Sequence, residues 1–158
     1  MISIYNSSSK TIKAWVTSHD IFKGKQDKLW LGNLDARRDW GHAKDYIEGM
    51  WKILQHDTPE DFVLASGKSY TVREFCEIAF KEIGVNLVWL GKGINEIGKD
   101  NKTGKILVQI DKRYFRPTEV DYLEGDASKA KEKLNWVPKI SLKSMISEMV
   151  QNDLKLLD

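Results

Sequence analysis

Between His42 and Gln55 six apolar residues, Ala43, Tyr46, Ile47, Met50, Trp51 and Leu54, fall at offsets 0, 3, 4, 7, 8 and 11. That spacing follows the 3.6-residue period and gathers all six on one helical stripe. An apolar stripe of this size demands a packing partner.

Two more helices are marked by their caps. The Thr71 hydroxyl is placed to accept from orphan N–H groups, and Glu74, three residues on, completes a capping box. The face that follows reads Val72, Phe75, Cys76, Ala79, Phe80 and Ile83. Ser141 heads a helix to Leu157 with Leu142, Met145, Ile146, Met149, Val150 and Leu154 along one side. A shorter helix, Asp126 to Leu134, is rich in Lys and Ala. Runs at Lys28 to Leu31, Asp61 to Ala65, Asn86 to Leu90 and Lys105 to Ile110 read as strands, the last with Ile106, Val108 and Ile110 on one side. Helices and strands alternate without internal repeat, which makes the fold class α/β. Gly91 to Gly104, with four glycines, reads as a loop or a pair of short turns, and the polar first ten residues as loose chain.

At 158 residues, 41% apolar and 30% charged, the chain has the make-up of one globular domain. A net charge of +2 is too small for a partner bound through a basic surface, so no nucleic acid is expected. No stretch approaches the ~20 apolar residues of a membrane span, and no membrane partner is expected. Residues 1–10 lack a signal-peptide layout, and a lone cysteine, Cys76, fits a reducing compartment, so a cytoplasmic location is expected.

Two segments join arginine to a carboxylate and an aromatic outside the helical stripes: Asp35 to His42, and Tyr114 to Val120. A guanidinium donates two parallel hydrogen bonds to phosphate oxygens, so arginines on separate loops are able to grip one diphosphate from opposite sides. On spacing alone the plainer reading is that Arg37, Arg38 and Arg116 are surface side chains paired with nearby carboxylates. His19, His42 and His56 are too scattered for a metal site, and Cys76 on an apolar helical face reads as a packed thiol. Gly91-Lys92-Gly93 looks like a dinucleotide-binding turn, but no helical stripe follows it. The basic cluster Lys129 to Lys133 reads as a solvated helix face.

The segment 26–46, QDKLWLGNLDARRDWGHAKDY, closely resembles GDP-mannose 4,6-dehydratases, members of the extended short-chain dehydrogenase/reductase superfamily. The resemblance continues through 61–67 (DFVLASG), 71–75 (TVREF), 114–121 (YFRPTEVD) and 125–136 (GDASKAKEKLNW). It implies a C-terminal, substrate-binding part of such an enzyme, lacking most of the Rossmann domain. It also implies that Arg38 and Arg116 hold the diphosphate of GDP-mannose, that Glu119 contacts the nucleotide or its ribose, and that Asn33 lies near the base. In this family a lyase reaction, on the way to deoxyhexoses such as the fucose of GDP-fucose, uses NADP with a glycine-rich turn, a Tyr/Lys pair, and a Thr and a Glu.

Those elements precede the matched region in the family, and none of the five tyrosines here has a lysine four residues on. No catalytic residue is therefore assigned, and NADP is not expected to bind this chain alone. Residues 1–25 depart from the segment expected there and read as divergent sequence ahead of a GDP-sugar-binding portion, 26–158. The resemblance further places the 42–55 helix and the 61–65 strand against the cofactor-binding sheet, which implies self-association or assembly with a separate N-terminal half. The expected role is a dehydratase-like chain contributing the nucleotide-sugar grip; the alternative is a non-catalytic GDP-sugar-binding fragment or an inactive gene remnant.

Overall fold

The structure is a computed structural model that describes residues 26–118, 120 and 122–156. Segment 1–25, with the expectations made for it, lies outside the described residues. The elements run β1 (Leu29–Leu31), β2 (Arg37–Asp39), α1 (Ala43–Leu54), β3 (Ser69–Thr71), α2 (Val72–Glu82), β4 (Leu87–Leu90), β5 (Ile97–Asp100), β6 (Ile106–Ile110), α3 (Ser128–Leu134) and α4 (Leu142–Leu156). Strands β1, β6, β5 and β4 form one sheet in that order, with β1 parallel to β6 and the other pairs antiparallel. Strands β2 and β3 form a separate antiparallel ribbon.

The helices start where their caps predict. Thr71 Oγ1 accepts from the Glu74 N–H at 3.0 Å while the Glu74 carboxylate accepts from the Thr71 N–H at 2.6 Å. Ser141 Oγ accepts from the Ser144 N–H at 3.1 Å, and His42 caps α1 by accepting from the Lys44 N–H at 3.1 Å. With these ends satisfied, α2 and α4 bring Phe75, Cys76, Phe80, Ile146 and Val150 into one core with Leu29, Leu31 and Val108 of the larger sheet.

Helix α1 departs from expectation in which face it buries. Its buried residues are Asp45 and Gly49, and Tyr46, Met50 and Ile53 pack beside them onto a second core of Leu64, Ala130, Leu134 and Trp136. Ile47, Trp51 and Leu54 stay exposed, by 62%, 62% and 77%. Two features hold that face inward. The Asp45 carboxylate accepts from the N–H groups of Lys139 and Ile140 at 3.0 and 2.9 Å, and its carbonyl accepts from Trp136 Nε1 at 2.8 Å. A Cβ on Gly49 would lie 2.6 Å from Leu64 Cδ1, so a glycine that weakens the helix by about 1 kcal/mol is what admits Leu64 and Trp136 to its backbone. The apolar stripe is thus divided, and among the described residues nothing covers its outer ridge.

Three strand expectations are corrected. Asp61–Ala65 forms no strand, because among the described residues no neighbouring strand pairs with it, although Leu64 and Ala65 are buried. β5 lies inside the stretch read as loop; its Ile-Gly-Lys-Asp sequence has weak β propensity and owes its place to ladders with β4 and β6. In β6 the simple alternation breaks, since Leu107, Val108 and Ile110 are buried and Ile106 only half-buried. A register shift at Gly98/Lys99 is the cause, as a bulge sets the period-2 pattern out of step.

Helix α3 is tied to the chain after α1 through Glu60, whose carboxylate meets Lys133 Nζ at 2.7 Å and Lys129 Nζ at 2.9 Å. These ammonium groups, Lys133 foremost, hold the Glu60 carboxyl down to about 2 from its ordinary 4.5. A depressed carboxyl stabilises the fold above its unfolded value, and that contribution is lost as pH falls through the folded one. Urea midpoints of the wild type and Glu60→Gln are therefore expected to differ most near neutrality and to converge as pH falls from about 4.5 to about 2. A gap that persists unchanged at pH 2 would contradict the ion-pair account.

Candidate functional site

The three residues of β2 have separate partners, and alternation along the strand sets Arg38 on the face opposite to Arg37 and Asp39. Arg37 is structural: Nη2 donates to the Ser69 carbonyl at 2.7 Å and Nε to Ser69 Oγ at 3.2 Å. Its own carbonyl accepts from the Leu123 N–H at 3.1 Å. Arg38 turns the other way, and Nη1 donates at 2.7 Å to the carbonyl of Val120 and at 2.7 Å to that of Arg37. Asp39 accepts from three main-chain N–H groups, Ser66 and Gly67 at 2.9 Å each and Gly125 at 3.3 Å. Spacing alone left Arg37 and Arg38 alike and the resemblance set Arg38 apart; in the structure the two have different partners.

Arg116 enters from the other segment, with its side chain exposed and its main chain fixed. The Asn33 side chain accepts from the Arg116 N–H through Oδ1 and donates to the Arg116 carbonyl through Nδ2, both at 2.8 Å. Beside it a Cβ on Gly32 would fall 2.2 Å from the Tyr114 carbonyl oxygen, so only glycine permits this approach. Asn33, Arg38 and Arg116 therefore all meet at one loop, residues 114–120. Glu119 lies outside the described residues.

A residue that sequence reading passed over supports the arrangement from behind. Arg73, at the start of α2, forms ion pairs with Glu96 through Nη1 and with Asp35 at 2.7 Å, and its guanidinium lies 4.9 Å from the Trp89 ring centre. Its N–H donates to the Leu34 carbonyl at 3.0 Å, pinning the turn between Asn33 and Arg37 to α2. The Glu96 carboxylate raises the Arg73 pKa above its ordinary value. The only advance sign was Arg73 within the capped segment, with nothing to mark Glu96 as its partner.

A cleft of about 450 Å³ opens beside Ser66 and Gly67, lined also by Tyr122, Glu124, Asp126, Lys131 and Trp136; its lining does not include Arg38 or Arg116. The Cys76 thiol is fully buried and burial pushes its pKa up to about 12, so it carries no thiolate for nucleophilic chemistry at neutral pH. The glycine pair Gly91 and Gly93 links antiparallel strands β4 and β5 through a 3-10 turn at Gly93–Asn95. That segment offers a dinucleotide no helix N-terminus, and so does not form the cradle that NADP requires.

With this geometry the family model of GDP-mannose 4,6 dehydratase matches residues 5–149. The chain belongs to the GDP-mannose 4,6-dehydratase family. It is 55% identical to the GDP-mannose 4,6 dehydratase of Cricetulus griseus over 137 residues, which is 87% of this chain and 37% of that protein. The human GDP-mannose 4,6 dehydratase is 53% identical over 137 residues, with the same coverage of 87% and 37%. The chain thus spans a little over a third of the length of these dehydratases and corresponds to their C-terminal portion. Among solved structures it superposes on RMD from Pseudomonas aeruginosa complexed with NADPH, at TM-score 0.75 and 17% identity, covering 96% of this chain and 44% of that one. It also superposes on dTDP-glucose 4,6-dehydratase from Bacillus anthracis in complex with NAD, at TM-score 0.66 and 19% identity, covering 96% and 42%. The dehydratase-family chain therefore has the fold of part of an extended short-chain dehydrogenase/reductase. The family model's range begins inside the segment 1–25, and no helix among the described residues is long and apolar enough to cross a membrane.

Proposed function

We propose that this chain carries the nucleotide-sugar grip of a GDP-mannose 4,6-dehydratase, with Arg38 and Arg116 holding the diphosphate of GDP-mannose and Glu119 meeting the nucleotide or its ribose. The observation that carries the reading is the meeting of Arg38 and Arg116 on one loop: Arg38 is hydrogen-bonded to the Val120 carbonyl, four residues beyond Arg116. Two guanidinium groups in that setting suit a diphosphate, whose oxygens accept paired charge-assisted hydrogen bonds.

Hydride transfer with NADP is assigned to parts of the enzyme that these 158 residues do not carry, so the chain alone binds without turnover. The exposed ridge of Ile47, Trp51 and Leu54 is the face offered to a separate N-terminal half, or to a second copy of this chain.

Titration calorimetry of the chain with GDP tests the grip. Wild-type protein is expected to bind, and Arg38→Ala and Arg116→Ala are each expected to bind about 10- to 100-fold more weakly, the loss of one charge-assisted contact. No heat with the wild type, or wild-type affinity in either variant, sinks the reading. Formation of the 4-keto sugar by the isolated chain supplied with GDP-mannose and NADP would overturn the assignment of chemistry elsewhere.

A further inference from the structure

We propose that Asn33 is a positioning residue that acts through Arg116: it sets the direction of the diphosphate-binding guanidinium and does not touch the guanine base. This rests on the grip described above. An asparagine amide has one carbonyl oxygen and one NH2 group. In Asn33 the oxygen accepts from the Arg116 N–H and the NH2 donates to the Arg116 carbonyl, at 2.8 Å each, across 83 residues of sequence. This reciprocal pair reproduces the exchange of two bonds between facing strand residues, and it fixes the peptide units on both sides of Arg116 Cα.

The neighbours restrict the loop further. Gly32 brings the 32–33 turn against the Tyr114 carbonyl, at a distance no Cβ would tolerate. Phe115 N–H and Tyr114 N–H both donate to the Asp111 carbonyl, at 3.0 and 2.9 Å, closing the turn that leads into Arg116. Pro117 bars Arg116 from the helical region by its own sterics. The main chain is thereby held from four directions, while the Arg116 side chain stays exposed and available to an anion. With the paired edge of its amide committed to Arg116, Asn33 keeps one lone pair and one N–H, and these point away from each other, so they do not form the edge that reads a base by paired hydrogen bonds.

The test compares a base contact with a positioning role on the full chain. GDP and inosine diphosphate differ at the base alone, by the exocyclic amino group. Asn33→Ala is expected to lower affinity for both about tenfold, the worth of a lost hydrogen-bond pair, leaving the GDP-to-inosine diphosphate ratio as in the wild type. Asn33→Gln, which keeps the amide but displaces it by a methylene, is expected to show the same loss and guards against an alanine variant that misfolds. In an Arg116→Ala background, Asn33→Ala is expected to have no further effect, as two groups acting through one contact are not additive. In ligand-free protein, hydrogen exchange at the Arg116 amide should be slow, and should accelerate in both Asn33 variants. A changed base ratio, a full additive loss on Arg116→Ala, wild-type affinity in Asn33→Gln, or unaltered exchange at Arg116 overturns the positioning role. Wild-type affinity in Arg116→Ala sinks the grip itself, and weakened binding in Arg116→Ala with normal binding in Asn33→Ala sinks only the role of Asn33.

Discussion

Replacing Trp136 with alanine is expected to lower stability by about 3–5 kcal/mol, the usual range for emptying a large aromatic site in a core. Trp136 is 1% exposed and sits at the centre of the smaller core, in contact range of Leu64, Ala130 and Leu134. Its ring stacks on Tyr46 with centroids 6.3 Å apart, and its Nε1 donates to the Asp45 carbonyl at 2.8 Å. The alanine variant loses that bond as well as the packing, and Gly49, which exists in α1 to let the indole approach, is left facing a void. Urea denaturation of the variant should show a midpoint shift of the full size. Trp51→Ala, by contrast, removes a ring that is 62% exposed and should change stability by no more than about 0.5 kcal/mol. If the two substitutions cost the same, the smaller core does not hold α1 in the way described.

Arg73→Leu is expected to cost about 3–5 kcal/mol, because it strands a carboxylate that the fold has taken out of water. The Glu96 side chain is 9% exposed, and Arg73 meets both of its oxygens, Oε2 at 3.1 Å. The second partner, Asp35, is 82% exposed and contributes little to the sum. Adding Glu96→Gln to Arg73→Leu removes the stranded charge and is expected to return part of the loss, a coupling that a double-mutant cycle by denaturation measures directly. Full additivity of the two substitutions would show that the pair is not coupled. The Arg73 side chain also holds the turn between Asn33 and Arg37 through Asp35 at 2.7 Å, so weaker GDP binding should accompany the loss of stability.

Much of the fold was legible because its causes are local. The caps at Thr71 and Ser141 and the apolar spacings of α2 and α4 involve residues within one or two turns of each other, so sequence and structure agree within a residue at either end. β5 was not legible, since Gly98 and Lys99 give no strand signal and the ladder that orders them comes from Leu87–Leu90 and Ile106–Ile110. The missing strand at Asp61–Ala65 has the converse cause: a good local pattern forms no ladder without a neighbour. In the site, Arg38 and Arg116 were singled out by residue type and by resemblance, while residue type and spacing alone did not separate Arg37 from Arg38 and the partners of Asn33 were invisible.

The amino-acid sequence by itself determined the helices, their caps, the α/β class and the family, because each of these is written in side chains close along the chain or in a string matched whole. Only the tertiary structure decided which face of α1 is buried, that Arg37 serves the fold while Arg38 meets the 114–120 loop, and that Asn33 clamps Arg116. The physical reason is common to all three. Asp45, Arg37, Arg38 and Asn33 are held by main-chain N–H and C=O groups, and those groups are nearly the same at every residue, so no letter at the partner's position announces the bond.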